Sequence, residues 1–515
     1  YKLSLGFASS ETSQADNESY TSNALMLPDG KYITGSSSDI SQLEPTLSWR
    51  LTEETSDNAL ISFKDSTNLL GVKTNYMLGY NRDEVDRKTQ QLFFLLKSST
   101  LTGGPRAYKN SATDSYLEAV GNVSGRYNVA IEPATEVNNI RNVDAFYCNF
   151  DFHFDNNFKV LAGARLNQTL IESSNYENDF FNFEILRESS QSGAADPTSA
   201  IGNTIMLGLN DGNPLPKDYV GKIDDNHIAH NLGFIYQFSD DFNIGVYYAE
   251  NKVMPSFKEF SFITTRDPVT LDYFSGNPAL IPSEINSLDI SFSKRFNDYS
   301  QLKINLFKKN IKDPIERVST FGKVPTDLFF NNPNDASVEG IELEYNASLP
   351  WEFKYFGSLE MGLNFSVIES EVKRLDLITE QMTSRYSSIF PNYENKRRLY
   401  DQPEWTSSAF LSFMIMNNID FTISINSESD SLLAATGFNN GVTNNYDTYN
   451  KSYESINLVV ESEFNLLDID FDIGLSVKNL TNSKRGIKYD ERSNQGDKFS
   501  YEIGREIELS ISALY

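Results

Sequence analysis

The sequence predicts an all-β fold, a transmembrane antiparallel β-barrel of about 16–18 strands with long extracellular loops. Three observations lead to this prediction. Apolar and polar residues alternate with a period of two, the alternating segments are long, and the connections between them are alternately short and long. A period of two is typical of a β-strand that has one apolar face and one polar face.

The alternating segments begin at the first residues and continue to the last. In chain order the clearest are 1–6, 146–154, 288–295, 353–367, 468–479 and 507–515. The last strand is expected to run from Tyr501 to Tyr515 and to pair with 468–480. Strands of soluble proteins average about five or six residues, whereas a tilted strand that crosses a bilayer needs about nine to eleven. Several segments reach the longer figure, and none of them contains an interior proline.

Segment 468–479 is the most regular of the series. Its apolar face would consist of Ile469, Phe471, Ile473, Leu475 and Val477. Polar residues and one glycine occupy the positions between them. We expect the apolar face to meet lipid and the polar face to line a water-filled or plugged lumen.

The connections alternate strictly from about residue 138 to the end. The short ones are polar and lie at 155–157, 239–241, 297–299, 417–418 and 465–468. The long ones are rich in Asn, Ser, Gly and Asp and lie at 174–225, 252–283, 314–336, 370–403, 429–451 and 482–500. Compact soluble domains rarely contain so many long irregular loops, whereas outer-membrane barrels combine short periplasmic turns with long extracellular loops.

Aromatic residues gather beside the short connections, where the interface of a bilayer would lie. They are Phe154, Phe158, Phe238, Phe242, Trp351, Phe353 and Phe464. Aromatic girdles at this position are typical of outer-membrane barrels.

Composition excludes several other classes of protein. No run of about eighteen apolar residues is present, so a transmembrane helix is excluded, although barrel strands leave no such run. The net charge of -27 argues against a nucleic-acid partner, which would need a basic surface. The single cysteine, Cys148, excludes an intrachain disulfide. A soluble β-sandwich or β-propeller remains the structural alternative, and the lack of a fixed-period repeat argues against the propeller.

Residues 241–316 carry the most specific sequence signal. The stretches DFNIGVYYAENKVMPSFKEF, FSGNPALIPSEINSLDISFSKRF and INLFKKNIKDPIERV resemble the barrel of TonB-dependent outer-membrane receptors. The motif positions are Pro255, Phe257, Glu259, Gly276, Asn277, Pro278, Leu280 and Pro282. Further matches lie at 142–166, 331–345 and 477–482, so the resemblance is strong over 138–515 and weaker over 1–137.

The resemblance implies parts that the sequence does not show. The family has an N-terminal plug domain, a short box that binds TonB, and a barrel of about 22 strands. We therefore expect residues 1–515 to be the barrel domain of a larger receptor, without its plug, TonB box and first strands. The implied location is the outer membrane of a Gram-negative bacterium. The implied partners are outer-membrane lipid, the TonB energy-coupling complex through the missing plug, and an extracellular small ligand or oligomer.

The motif also makes physical sense as a bend in the chain. Pro278 and Pro282 cannot donate hydrogen bonds to a sheet, so the chain should leave the sheet there and re-enter it at Glu284. Gly276 would permit a positive φ at this bend. Two interpretations stay open, since the motif could shape a loop only or could also contact a ligand.

Ligand contacts are expected from residues on the lumen face near the extracellular ends of strands. Strand direction and alternation select Arg165, Asp289, Glu342 and Glu344. The longest connection, 174–225, suits a mobile cap, and deletion of 185–215 should abolish ligand binding without preventing barrel assembly.

No enzymatic, cofactor or metal site is predicted. His227 and His230 are three residues apart, so they would point to opposite faces of a strand and could not chelate one ion. His153 would face the lumen, and Cys148 would face lipid. Glu342 and Glu344 share one face, but they more plausibly line a hydrated wall than form an acid/base pair.

The leading hypothesis for function is active uptake of a scarce ligand. The ligand could be a ferric siderophore, a glycan, a peptide or a cobalamin-like molecule. A passive outer-membrane porin and a surface adhesin are the alternatives, and a plug sequence in the same gene would distinguish the receptor from a porin.

Overall fold

The computed structural model describes residues 2–21, 25–26, 32–34, 46–98, 106–108, 127–155, 157–176, 220–261, 263–266, 273–320, 326–349, 356–374, 396–415, 418–436, 447–466, 469–490 and 496–514. These residues are almost entirely in β-strands, which confirms the predicted fold class. The described part of the chain contains one helix of four residues, and no helix in it is long and apolar enough to cross a bilayer.

The elements in chain order are β1 (Lys2–Thr21), β2 (Leu25–Met26), β3 (Tyr32–Thr34), β4 (Thr46–Leu69), β5 (Val72–Ser98), β6 (Arg106–Tyr108), β7 (Tyr127–His153), β8 (Phe158–Tyr176), β9 (Val220–Ser239), β10 (Phe242–Val253), α1 (Phe257–Phe260), β11 (Thr264–Arg266), β12 (Tyr273–Ser275), β13 (Ser283–Asn297), β14 (Ser300–Lys312), β15 (Ile315–Thr320), β16 (Thr326–Asn331), β17 (Ala336–Leu349), β18 (Phe356–Lys373), β19 (Lys396–Arg397), β20 (Trp405–Ile415), β21 (Ile419–Glu428), β22 (Ser431–Thr436), β23 (Thr448–Asn450), β24 (Tyr453–Leu466), β25 (Ile469–Lys478), β26 (Lys484–Tyr489), β27 (Asp497–Glu502) and β28 (Glu506–Leu514).

Sixteen long strands form one antiparallel meander, which we call the wall. Each strand pairs with the next in the order β1, β4, β5, β7, β8, β9, β10, β13, β14, β17, β18, β20, β21, β24, β25 and β28. The short strand β19 pairs with the end of β18. Among the described residues, no pairing joins β1 to β28.

The register of the wall aligns the apolar rows of neighbouring strands into one band. Leu475, for example, lies opposite Val460 on one side and Leu509 on the other. The row from Ile469 to Val477 extends about 27 Å along its strand, or about 20 Å in height when the strand is tilted by about 40°. This height is close to the apolar band of outer-membrane barrels, about 25 Å.

Aromatic rings border the band at the short connections, as predicted. The ring centroids of Phe154 and Phe158 are 5.7 Å apart, and those of Phe238 and Phe242 are 5.4 Å apart. Phe464 contacts Phe471 at 5.5 Å across the hairpin of β24 and β25. Trp351 and Phe353 lie outside the described residues.

The short connections lie where they were predicted, at the hairpins that join β7 to β8, β9 to β10, β13 to β14, β20 to β21 and β24 to β25. Two other connections were not predicted, the one between β17 and β18 and a tight hairpin between β4 and β5. Its two central residues, Leu70 and Gly71, have φ values of 52° and 84°. Leucine is rarely found in this left-handed region, which explains why the turn was not recognised.

The long connections are not irregular as expected, because several of them pair with one another. They form an eight-stranded sheet in the order β11, β12, β16, β15, β22, β23, β26 and β27, which we call the cap sheet. It unites the connections 252–283, 314–336, 429–451 and 482–500. Residues 177–219 of the connection 174–225 lie outside the described residues.

The cap sheet also changes the predicted boundary of the last strand. We expected a strand from Tyr501 to Tyr515, but β28 begins at Glu506, and Tyr501 and Glu502 belong to β27 in the cap sheet. Gly504, with a φ of 88°, lies between the two strands.

Two buried ion pairs hold connections of the cap together. Arg397 Nη2 lies 2.7 Å from Glu316 Oε1, and the Glu316 side chain is fully buried. Arg374 and Asp447 form a second pair at 2.5 Å, with both side chains at least 95% buried. Each pair joins segments far apart in sequence.

The polar face of the wall is its inner face. On that face, Phe257 of α1 lies under the guanidinium of Arg87 on β5, while Glu259 of the same helix binds Tyr400, next to β19 and β20. Nine strand steps separate β5 from β20, which would place them about 43 Å apart in a flat sheet. The wall is therefore curved, with its polar rows on the inside.

Candidate functional site

The described residues of the connection between β10 and β13, which are 254–261, 263–266 and 273–282, fold into the interior, and we call them the inner arm. It begins with α1, which a capping box starts at Ser256. The Ser256 backbone N–H donates to Glu259 Oε2 at 2.8 Å, and the Glu259 backbone N–H donates to Ser256 Oγ at 3.3 Å. The Ser-x-x-Glu spacing is a helix-start signal that the sequence analysis did not use.

The inner arm is seated on the inner face of the wall by apolar contacts. Phe257 and Phe260 are buried in one cluster with Val85 of β5 and Ile171 of β8. Leu280, from the far end of the arm, completes the cluster and is only 2% exposed. Burial of large apolar side chains of this kind contributes about 1.5–3 kcal/mol each, which fixes the arm in the interior.

Polar contacts attach α1 to two separate parts of the wall. The Ser261 hydroxyl donates to Asn139 Oδ1 of β7 at 2.8 Å. On the other side, the Tyr400 hydroxyl donates to Glu259 Oε1 at 2.9 Å. Burial, together with the negative charge of Glu259, raises the pKa of Tyr400 well above its ordinary value. Tyr400 therefore keeps its proton and goes on donating even above about pH 10, where an exposed tyrosine would ionise.

Gly276 is required in the inner arm for a different reason from the one expected. Its φ is not among the positive values in the described residues. Instead, a Cβ at this position would lie 2.1 Å from the backbone oxygen of Ser261 and 3.0 Å from that of Glu259. Such distances are well inside van der Waals contact, so the close approach of α1 to residue 276 needs glycine.

The remaining motif positions also build the arm. Asn277 Nδ2 donates to the backbone oxygen of Phe329 in the cap sheet at 3.0 Å, and Pro255 and Pro278 are buried. The chain leaves the sheet through Pro278 and Pro282 as predicted, and β13 begins at Ser283, one residue earlier than expected. The motif therefore shapes the arm, as both of its interpretations require.

Three of the four candidate ligand residues lie together on the inner face. Asn305 Nδ2 donates to Asp289 Oδ1 at 3.4 Å and to Glu342 Oε2 at 3.2 Å. Glu344, next in the same row, pairs with Lys303 at 3.3 Å. This region is an acidic stripe across β13, β14 and β17, crossed by Asn305 and Lys303.

Arg165 lies apart from these three residues, since β9 and β10 separate β8 from β13. Its Nε donates to Asn167 Oδ1 at 2.7 Å, and its guanidinium lies 6.0 Å from the ring centroid of Tyr147. Asn167 in turn contacts His227, whose Nδ1 lies 2.6 Å from Asp225. Arg165 thus belongs to a different polar network of the inner wall.

A cleft of about 350 Å³ lies between the inner arm and the inner face of the wall, and we call it the arm cleft. It is lined by Thr12, Arg50, Thr52, Glu54, Arg87, Thr89, Asn139, Phe257, Lys258, Ser261, Ile263 and Phe274. The sequence analysis missed its charged residues. They lie mostly in the region of weak resemblance, and alternation alone does not say which strands adjoin the arm.

A sequence comparison decides the family of this chain. Residues 2–480 match the family described as TonB dependent receptor-like, beta-barrel. The chain belongs to this family. The match confirms the resemblance found in the sequence and extends it into the first 137 residues. The family consists of receptors and transporters of Gram-negative outer membranes and not of enzymes.

Solved receptor structures share the fold. The chain aligns over 99% of its length with 62% of the siderophore receptor PiuA from Acinetobacter baumannii, with a TM-score of 0.57 and 11% identity. It aligns over 99% with 53% of FpvA from P. aeruginosa bound to a heterologous pyoverdine, at a TM-score of 0.56 and 11% identity. It aligns over 99% of its length with 60% of BauA, the ferric preacinetobactin receptor from Acinetobacter baumannii, with a TM-score of 0.51 and 10% identity.

The chain spans less than two thirds of the length of these receptors. Identities near 10% show the fold alone. No curated protein sequence matches the chain.

His227 and His230 lie on opposite faces of β9, as the alternation of the sequence predicted. His227 faces the interior opposite Asn167, whereas His230 lies opposite Ala164 in the outer row. Cys148 is also in an outer row, opposite Leu78 and Ala164. In the described part of the chain, no group of three or more His, Cys, Asp or Glu side chains is placed to hold a metal ion.

Proposed function

We propose that this chain forms the wall, inner arm and extracellular cap of an outer-membrane receptor that imports a scarce ligand with energy from the TonB complex. The inner arm carries this proposal. An open porin needs a free lumen, whereas here a built element with a buried apolar base occupies part of the interior and joins the cap sheet through β11 and β12. A lumen arranged in this way favours capture of a ligand over free diffusion.

The proposed location is the outer membrane of a Gram-negative bacterium, with lipid as the partner of the outer face. The apolar band ends in a row of charges toward the cap. On the outer face of β17, Glu339 lies beyond Ile341 in the direction of the cap, and it pairs with Lys308 of β14 at 3.0 Å. Above this level Glu284 pairs with Lys312 in the same manner, at 3.3 Å. Charges on the outer face are expensive at the bilayer midplane but not beyond its edge, so this change supports an upper boundary of the hydrocarbon at the level of Glu339.

The proposal also includes a plug domain and closing strands outside these 515 residues, through which TonB would act. One observation supports it. The edge strands β1 and β28 each pair on one side only among the described residues. Unpaired strand edges are not stable in lipid.

The ligand class proposed first is a ferric siderophore. Structural relatives are named as siderophore receptors, and this class fits the outward-facing cap and the polar interior. Glycans, peptides and cobalamin-like molecules are the other classes to test.

The experiment is uptake of a panel of ⁵⁵Fe-loaded siderophores by iron-limited cells that carry or lack this gene, each with and without TonB. The receptor proposal expects uptake that needs both proteins. Uptake that needs this protein but not TonB would identify a passive channel. If the protein reaches the cell surface and cells with the gene bind a ligand or surface without importing anything, it is an adhesin.

A further inference from the structure

We propose that His227 positions the Arg165 guanidinium through Asn167 and releases it into the lumen when the imidazole takes up a second proton. The inference rests on the proposed function in one respect, because a movable arginine on the lumen face matters only if a ligand enters the lumen. It makes the hold of the receptor on a ligand with negatively charged groups depend on pH.

A continuous chain of polar contacts joins Arg165 to Lys252 at the end of β10. Arg165 Nε donates to Asn167 Oδ1 at 2.7 Å, and Asn167 Nδ2 lies 3.1 Å from His227 Nε2. On the other side of the ring, His227 Nδ1 lies 2.6 Å from Asp225 Oδ2. Lys252 Nζ donates to Asp225 Oδ1 at 2.7 Å. Asn167 is 8% exposed and the His227 side chain 10%, so their polar atoms depend on these neighbours more than on bulk water.

The chain of contacts fixes where its protons lie. A guanidinium can only donate, so the atom of Asn167 that faces Arg165 is the amide oxygen. The amide nitrogen of Asn167 therefore faces His227 and, since it too can only donate, Nε2 of the ring is the acceptor. The carboxylate of Asp225 accepts from Nδ1–H. His227 is thus held as a neutral imidazole in one tautomer.

A second proton on His227 breaks the chain at Asn167. The ring Nε2–H and the amide N–H of Asn167 are then two donors 3.1 Å apart. If the amide turns over so that its oxygen accepts from the ring, its nitrogen faces Arg165, which loses its acceptor. Ala229, opposite Arg165 on β9, has no polar side-chain atom. Among the described residues the remaining side-chain contact of Arg165 is the Tyr147 ring, whose centroid lies 6.0 Å from Cζ, so the guanidinium is free to extend into the lumen.

The charges around the ring leave His227 as the group that titrates near neutral pH. The charged groups that face the ring are Asp225 on its own strand, Lys252 on β10 and, beyond Asn167, Arg165 on β8. On β7, the residue opposite Asn167 is Ala145, which is fully buried and uncharged. Carboxylates, ammonium groups and guanidinium groups ordinarily keep their charge between about pH 5 and 8, where imidazoles ordinarily change theirs.

The test is the hydrogen-exchange rate of the Arg165 Nε–H, measured by ¹⁵N NMR on arginine-labelled protein purified from outer membranes in detergent, with Arg165→Lys to assign the signal. The Nε–H of Arg87, which donates to Glu54 at 2.6 Å, is the internal reference, because lowering the pH changes the intrinsic exchange of both groups equally. Between about pH 7.5 and about pH 5 the rate of Arg165 relative to Arg87 should rise about tenfold or more, the effect of losing one hydrogen bond of a charged group.

Variants separate a proton switch from an ordinary structural bond. His227→Gln cannot take up a proton, and the carboxylate of Asn167→Asp accepts from Arg165 and from a protonated ring alike. The rise with falling pH should therefore disappear in both variants. The matched control is His230→Gln, the same substitution three residues along β9 in the outer row. The His230 side chain is 47% exposed and lies 3.7 Å from Glu250, so this variant should keep the full rise.

Two results would overturn the proposal: a relative rate for Arg165 that stays constant with pH in the unaltered protein, or a rise that persists in His227→Gln. Heat-modifiable gel mobility reports folding, and Asn167→Asp decides in place of His227→Gln if the latter does not fold. The exchange measurement involves neither TonB nor uptake. A pH-dependent Arg165 in a protein that gives no coupled uptake would refute the proposed function and leave the switch standing. Coupled uptake by a protein whose Arg165 is indifferent to pH would do the reverse.

Discussion

Substitution by arginine at mid-height of the wall should destabilise the protein strongly on the outer face of the wall and little on the inner face. Ile473 is the middle residue of the outer row of β25, opposite Ile511 of β28. An arginine facing lipid at the midplane costs about 2–4 kcal/mol. Ile473→Arg should therefore lower the free energy of unfolding by about 2–4 kcal/mol, which corresponds to a factor of roughly 30–700 in the folding equilibrium constant.

The neighbouring residue provides the control on the inner face. Asp472 lies directly opposite Glu463 of β24, and its carboxylate accepts a hydrogen bond of 3.1 Å from Ser512. Asp472→Arg loses that bond, worth about 1 kcal/mol, but replaces a pair of like charges with an attractive pair. The two effects are of similar size, so the net change should be within about 1 kcal/mol of zero.

Both variants are to be unfolded and refolded in lipid vesicles with urea, followed by tryptophan fluorescence and heat-modifiable mobility. If the outer row faces lipid, the free energies of unfolding of the two variants should differ by about 2 kcal/mol or more. Equal costs would show that the faces are assigned wrongly or that no bilayer surrounds the band. A larger cost for Asp472→Arg would mean that lipid lies on the other side.

Three further predictions concern the inner arm and the cap. Gly276→Ala should displace α1 and destabilise the arm by about 1–3 kcal/mol, measured as faster proteolysis within 254–282, whereas Gly496→Ala, in open space, should have no effect. Arg397→Met leaves Glu316 buried without its cation and should cost about 3–5 kcal/mol in urea unfolding, and adding Glu316→Gln should recover much of it. Burial, with nearby carboxylates, raises the pKa of Tyr449 to about 12. Because this pKa is raised on folding from about 10, its stabilising effect is complete below pH 10 and is lost as the pH rises toward 12. Tyr449→Phe should therefore flatten the fall in cap stability over that interval, and an unchanged slope would show that other groups control it.

The sequence was sufficient to predict the wall because its information is local. Whether Ile473 faces lipid or the lumen depends only on parity within one strand, and the short polar hairpins are recognisable from three or four residues. The same reasoning placed His227 and His230 on opposite faces. Leu70 shows its limit, because a leucine at positive φ in a two-residue turn contradicts the residue preferences from which turns are recognised.

The cap sheet and the arm cleft could not be predicted in this way. Strands such as β22 and β15 pair over only two positions and are separated by more than a hundred residues, so neither periodicity nor length marks them. The cleft unites residues from β1, β4, β5 and β7 with the inner arm. Alternation places Arg50 and Arg87 on the inner face but does not say that an arm from the other side of β9 and β10 will cover them.

The inner arm explains why a short motif can serve several distant contacts. In a helix, successive residues point about 100° apart, so a single turn presents each side chain to a different neighbour. Phe257 and Phe260 enter the apolar cluster, Lys258 faces the arm cleft, and Glu259 holds both Ser256 and Tyr400. One turn therefore serves both the packing of the arm and the lining of the arm cleft, because different residues make the two sets of contacts. Gly276 makes this possible, since only a residue without Cβ lets the returning chain pack directly against the end of the turn.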